Sequence, residues 1–413
     1  MKQKNILIEF LTANGRYGAG EYHRRVVLEI LKKIKEENLC YIKIFALFDS
    51  KVSISFEDMR IDTLGKTYDV DYIDLQKHSI PDVIIQYNID TFFIACSQRI
   101  GVYPEIKDVK CKVICVTHDL LYEEWYNSHL YEYWSLLTPR HVDVGVRASV
   151  FWRVLRLCRS TLINFYKIFL SKSIDSPIGY EYLEVLKPIV EMLKHNPNSK
   201  NIVVSEYTKA TMMFNFGFSE EDIKVLYSPE RKETTILEVE NKTLDSILKQ
   251  KKKYILMVSA DRVSKNVFKV LDAFRKYSEI DNDAILVLVG YKGDVNDRMI
   301  KLPFLSDSDL EHAMRNCYAL IYPSYFEGFG YPPLEAMRYG RPVLCSNTTS
   351  IPEIMGEAPI YFSPIYSSDI FYSLLKLAKS DYSKMSDFSL KQYNKIRERQ
   401  EKDLDTLVNL ILN

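Results

Sequence analysis

Short runs of almost wholly apolar residues, each closing on a polar or glycine-bearing turn and then an amphipathic helical pattern, recur along this chain. In the second half they fall at 254–259, 284–290, 319–322, 342–345 and 360–362, with helical patterns at 267–277, after Ser306 and after Pro332. A strand without a polar face must be covered on both sides. Strands alternating with helices meet that demand as a doubly wound parallel sheet. The first half opens in the same way. Residues 5–11 read as a buried strand, Gly15-Arg-Tyr-Gly18-Ala-Gly20 as the turn, and about 21–33 as a helix with Val26, Val27, Ile30 and Leu31 on one face. Further strands are expected at 41–48, 83–87, 92–95, 113–117, 201–204 and 224–227.

With 413 residues the chain is too long for one ordinary core. The expected fold is α/β, with two Rossmann-like domains whose parallel sheets face each other across a cleft. The first spans 1–235 and contains a helical insertion at about 122–198; the second spans 250–385. A charged helical pattern over 386–413 is expected to pack back toward the first domain. Formal net charge is zero, so no global field points to nucleic acid. No stretch reaches the ~20 apolar residues a membrane span needs, and 5–11 is too short for a leader core. The seven cysteines are scattered and form no CxxC pair, which fits reduced thiols and a cytoplasmic location. The stretch 144–172 has no acidic residue and carries Arg153, Arg156, Arg159 and Lys167 opposite an apolar face. It reads either as an amphipathic surface for an anionic membrane or as a core-packing helix with a solvated basic face.

Chemistry concentrates at Tyr322-Pro-Ser-Tyr-Phe-Glu327-Gly328-Phe329-Gly330-Tyr-Pro-Pro-Leu-Glu335. The glycines let a ligand approach the main chain, and Pro332 and Pro333 fix φ where a helix begins. Arg262 and Lys265 follow the first strand of the same half, and two cations there suit a diphosphate. Glu327 and Glu335 are then left to accept hydrogen bonds from sugar hydroxyls, although Glu335 reads equally as an early helix acid. His118, followed by Asp119, stands at the end of the 113–117 strand, where ligands of open α/β sheets lie. A capping role for both is the alternative. The GxGxxG fingerprint is missing from both halves, which disfavours a nicotinamide enzyme. The patterns at Asp69-Val-Asp71, Asp281-Asn-Asp283 and Asp307-Ser-Asp309 read as a loop, a turn and a helix cap, so no metal is expected.

Glu327-x7-Glu335 in this setting, followed by Gly340-Arg-Pro-Val and Ser350-Ile-Pro-Glu353-Ile-Met-Gly, closely resembles the retaining glycosyltransferases of family 4, with the GT-B fold. The resemblance is strong over 254–364 and weaker over 5–33, 113–120 and 203–227. It implies a hexose moved from a nucleotide-diphosphate sugar, as co-substrate rather than cofactor, to a glycan or lipid-linked acceptor, in surface polysaccharide synthesis. It implies catalytic roles for Glu327, His118 and Lys265. Donor contacts follow for Arg262, Lys265, Gly328, Phe329, Gly330 and Glu335, and for Gly18 and Gly20 from the other domain. Other readings on the same fold are a nucleotide-sugar epimerase and a non-catalytic glycan-binding relative. Three places depart from the common pattern: the spacing of Arg262 three residues before Lys265, in which relatives differ; Tyr227-Ser-Pro-Glu-Arg231, where many relatives carry a glycine-containing loop; and the region 122–198, which has no counterpart.

Overall fold

The computed structural model describes residues 3–12, 18–51, 70–121, 177–231 and 237–413, with the backbone alone for 177–185 and 263. The first half runs β1 (Lys4–Glu9), α1 (Gly18–Glu36), β2 (Ile42–Phe48), β3 (Val70–Asp74), α2 (Ile80–Gln86), β4 (Thr91–Ile94), α3 (Ser97–Ile100), β5 (Lys112–Thr117), α4 (Pro177–His195), β6 (Ser199–Val203), α5 (Glu206–Phe216) and β7 (Ile223–Val225). The second runs α6 (Lys242–Lys249), β8 (Ile255–Met257), α7 (Val267–Ser278), β9 (Leu286–Val289), β10 (Met299–Leu302), α8 (Asp307–Asn316), β11 (Ala319–Tyr322), α9 (Tyr331–Met337), β12 (Val343–Ser346), α10 (Ile351–Met355), β13 (Ile360–Phe362), α11 (Ser367–Lys379) and α12 (Tyr382–Leu412).

The strands form two sheets, ordered β3-β2-β1-β4-β5-β6-β7 and β10-β9-β8-β11-β12-β13. Every pairing is parallel. Two-sided burial is visible within β1. Ile6 and Ile8 join Tyr22, Val26 and Ile30 of α1 in one cluster, while Leu7 joins Phe45 and Phe92 in another on the opposite face. Strand order reverses direction between β1 and β4 in one sheet and between β8 and β11 in the other. The carboxyl ends at those switch points are where doubly wound sheets leave a crevice.

Several local expectations need correction. Residues 83–87 belong to α2, not to a strand: Ser79 caps it by accepting from the Asp82 amide, and Pro81 sits in its first turn. Asp71 lies in β3 rather than a loop, paired in register with β2 and salt-bridged to Lys43 at 2.7 Å. α1 starts at Gly18, so Gly18 and Gly20 occupy its first turn and not the preceding turn. β10 was not anticipated, and the charged connection carries α6, capped by Asn241. The basic stretch 144–172 and residues 122–176 of the expected insertion lie outside the described residues. Among the described residues no helix is long and apolar enough to cross a membrane.

α12 joins the two halves. Its start packs on the second sheet, with the Tyr382 hydroxyl donating to the Tyr318 carbonyl at 3.1 Å. Its end buries Leu407, Val408 and Ile411 in the cluster that holds Val26 and Ile30 of α1. The carbonyls of Leu410 and Leu412 accept from Lys112 Nζ at 2.6 Å and Lys4 Nζ at 2.9 Å. Lysines of the first domain thus satisfy groups that a helix end leaves without partners.

Glu9 ends β1 at the first sheet's switch point and is fully buried. Its carboxylate accepts from the Thr12 amide at 3.1 Å and from the Thr12 hydroxyl, and its carbonyl accepts from His23 Nε2 at 2.7 Å. Burial pushes the Glu9 carboxyl up to about 7 and the His23 imidazole down to about 4. A raised carboxyl gives stability that is complete below its ordinary value of 4.5 and is lost as pH rises through about 7. Relative to E9Q, the wild type should therefore lose roughly 3 kcal/mol between pH 4.5 and 8. The His23 contribution has the opposite sign and cancels in this comparison. Urea unfolding of both proteins across that range checks it, and a difference independent of pH would refute the assignment.

Candidate active site

β8 leaves its sheet through Ser259, at φ 54°, and the chain turns at Val263–Lys265. This brings Lys265 inward, where it is 8% exposed. Its ammonium donates to the Tyr322 hydroxyl at 2.7 Å and to Glu327 Oε1, and lies 4.6 Å from the centre of the Tyr322 ring. A buried ammonium without such partners would carry a desolvation cost of several kcal/mol. Burial first, and then the Glu327 charge, pushes the Tyr322 phenol well above its ordinary range, so it remains a neutral donor and acceptor. The Glu327 main chain is fixed on both sides. Its amide donates to Thr349 Oγ1 at 3.1 Å, and its carbonyl accepts from Ser350 Oγ at 2.8 Å. The Tyr325 amide donates to the Ser264 carbonyl at 2.9 Å, tying the exit of β11 to the exit of β8. These two exits flank the second sheet's switch point. Arg262 shares the β8 exit loop but its side chain is exposed, and among the described residues it forms no ion pair.

The first domain meets this loop at His118 and Asp119, directly after β5. A Cβ added at Gly328 would stand 2.0 Å from the His118 carbonyl oxygen and 3.1 Å from Asp119 Cβ. Only a glycine permits that approach of backbone to backbone. His118 Nε2 donates to the Ala95 carbonyl at 2.8 Å, and its ring stands edge-on to Tyr22 at 4.7 Å. Burial holds its imidazole down to about 4, so it is neutral near pH 7. The Asp119 carboxyl is raised by burial and, to a lesser extent, by the Glu327 charge. Glu353 makes a second bridge between the domains: its two carboxylate oxygens accept from the Glu206 and Tyr207 amides, at 2.9 and 3.1 Å, where α5 begins.

Beyond Gly328 the chain buries Phe329 against Tyr227 and Tyr331, with ring centroids 5.5 and 5.6 Å apart. Gly330 then takes φ 95° as the residue before α9. The Tyr331 ring lies 3.4 Å from a Cβ placed on Gly18, so the start of α1 faces the start of α9. Gly20 is buried in the same first turn of α1. Glu335 pairs with Arg231 Nη1 at 2.8 Å. Lys265, Glu327, Gly328 and His118 therefore converge, while Gly18, Phe329, Gly330 and Glu335 form a flank on the α9 side. Asp119 was read from sequence only as a helix start. Its neighbour His118 was the available signal, since both sit at one strand end. The contacts of Arg231 and Glu353 gave no signal, because their partners are distant in the chain.

Residues 239–395 match the family model described as Glycosyl transferases group 1. The chain is 34% identical over 125 residues to the O-antigen chain mannosyltransferase B of Escherichia coli, covering 27% of this chain and 33% of that protein. It is 27% identical over 256 residues to the O-antigen chain mannosyltransferase RfbU of Salmonella typhimurium, covering 58% of this chain and 66% of that protein. The match thus spans only a third of the former relative's length. Among solved structures, Anabaena Alr3699/HepE in complex with UDP-glucose superposes with a TM-score of 0.60 at 15% identity, over 99% of this chain and 98% of that one. At that identity the likeness is one of fold. Residues 239–395 are thus similar to the group 1 glycosyltransferases, and the chain as a whole shares the GT-B fold.

The Gly328 contact makes a direct prediction. G328A forces a Cβ into the His118 carbonyl, so the two loops must separate. Overpacking of this kind costs about 1–3 kcal/mol. Urea unfolding should register that loss, and a change below about 0.5 kcal/mol would mean that the loops part freely.

Proposed function

We propose that this protein is a retaining glycosyltransferase that moves a hexose from a nucleotide-diphosphate sugar to a glycan or lipid-linked acceptor during surface polysaccharide synthesis. The observation that carries the reading is the convergence of Lys265 and Glu327, at the second sheet's switch point, with His118 from the first domain across Gly328. The names of the two mannosyltransferase relatives favour mannose as the hexose.

In this reading Lys265 and the exposed Arg262 meet the diphosphate, and the Phe329 and Gly330 amides contact sugar and phosphate. Glu327 binds hydroxyls of the transferred sugar, and Glu335 binds the ribose. His118 keeps its Nε2 proton on the Ala95 carbonyl, which leaves Nδ1 as an acceptor for a sugar hydroxyl. Its lowered basicity keeps that acceptor unprotonated at neutral pH. The glycosidic bond to phosphate breaks while the acceptor oxygen bonds the same carbon from the same face. The acceptor hydroxyl proton passes to the departing phosphate oxygen. Positioning and stabilisation of the leaving charge supply the catalysis, without a carboxylate nucleophile and without a metal. Gly18 and Gly20, at the start of α1, approach the donor from the first domain. In this reading the work is done at the cytoplasmic membrane face.

E327A should lower transfer at least ~100-fold, as removal of one transition-state stabiliser does elsewhere. Thermal melting with UDP-, GDP- and ADP-sugars identifies the donor first, since a ligand at ~100 times its Kd stabilises by about 2.7 kcal/mol. Unchanged transfer by folded E327A would remove Glu327 from the site. Turnover of the donor sugar to its epimer without acceptor would point instead to the epimerase class.

A further inference from the structure

Arg231 lies in the connection between the two sheets, and its backbone is delivered there by three hydrogen bonds on the residues before it. The Tyr227 amide donates to Asp403 Oδ2 at 2.9 Å, Gln400 Nε2 to the Ser228 carbonyl at 2.6 Å, and the Tyr331 hydroxyl to the Pro229 carbonyl at 3.0 Å. From this fixed base the guanidinium reaches both domains. Nη1 donates to Glu335 Oε1 at 2.8 Å, and Nη2 lies 3.7 Å from Glu21 Oε1 in the first turn of α1. Arg231, Tyr331, Leu334, Glu335 and Arg338 line one crevice. The Glu335 charge, more than any other neighbour, holds the guanidinium protonated.

A carboxylate that accepts from a vicinal diol must be fixed in rotation. An arginine on one of its oxygens supplies that condition, because the planar guanidinium is directional in a way that lysine is not. We propose that Arg231 is a positioning residue for the nucleoside end of the donor. It holds Oε1 of Glu335 so that Oε2 faces the ribose hydroxyls, and its reach to Glu21 makes this presentation depend on the two domains being together. The inference rests on the reading of Glu335 as the ribose ligand.

The test is calorimetric binding of whichever of UDP, GDP or ADP the wild type binds most tightly, against its 2′-deoxyribose counterpart. The wild type should prefer the ribonucleotide by about tenfold or more, the worth of a charged hydrogen bond. R231A and E21Q should both shrink the preference, R231A to about threefold or less, and R231K should restore part of it. E335A is the control on the underlying reading. If E335A keeps the preference, the ribose role of Glu335 fails and this inference with it. If E335A abolishes the preference while R231A retains it, only the role of Arg231 falls. Equal weakening of both nucleotides by R231A would likewise make it a merely structural residue. Should R231A not fold, R231K against wild type carries the same comparison, with an unchanged preference overturning the proposal.

Discussion

The buried ammonium of Lys265 is the constraint around which the second domain's ligand-facing end is arranged. A charge at 8% exposure is tolerable only with partners in place, and Glu327 and Tyr322 are those partners. They come from the far side of the switch point, so the side chains reinforce the main-chain bond from Tyr325 to Ser264 that already ties the two strand exits. Threonine and serine at 349 and 350 hold the Glu327 main chain from a third element. The same charge that satisfies Lys265 is thereby aimed across the crevice toward Asp119 of the other domain, whose carboxyl feels it. Lys265, Glu327 and Asp119 thus form a charged seam between the domains.

Much of this was legible in the sequence, for a physical reason. Strands buried on both faces are written as nearly unbroken apolar runs, so β8, β9, β11, β12 and β13 stand out, and their exits carry the polar residues. Ser306 was readable as a cap because the group it accepts from lies three residues on, the Asp309 amide. Elements whose burial is partial were harder. β3 has an exposed Tyr72 and flanking acids, and α2 is short and rich in isoleucine, which resembles a strand until Ser79 and Pro81 are weighed. The particular atoms that meet between the domains were not legible. Gly328 on the His118 carbonyl, Glu353 on the α5 amides and Arg231 on Glu335 each join residues far apart in sequence, and two of them use main-chain atoms that carry no sequence signature.

The family match is confined to 239–395, while the likeness in fold covers the whole chain. The proposed function accounts for that division. Phosphate and sugar hydroxyls call for charged and glycine-bearing loops, which are legible as motif, whereas many apolar sequences can keep a parallel sheet covered on both faces. His118 is a point of constraint on the first half, because its carbonyl stands against Gly328.

α12 has a consequence for how the molecule comes into being. The contact of Lys4 with Leu412 spans 408 residues, and the apolar face of α1 shares its core with Leu407, Val408 and Ile411. During synthesis the first sheet can therefore assemble early but not finish: one flank of α1 stays wet until the last turn of α12 has left the ribosome. Closure across so long a loop is slow compared with local pairing. The first domain is thus begun before the second and completed after it, and its uncovered flank is the surface a nascent chain would have to shield in the interval.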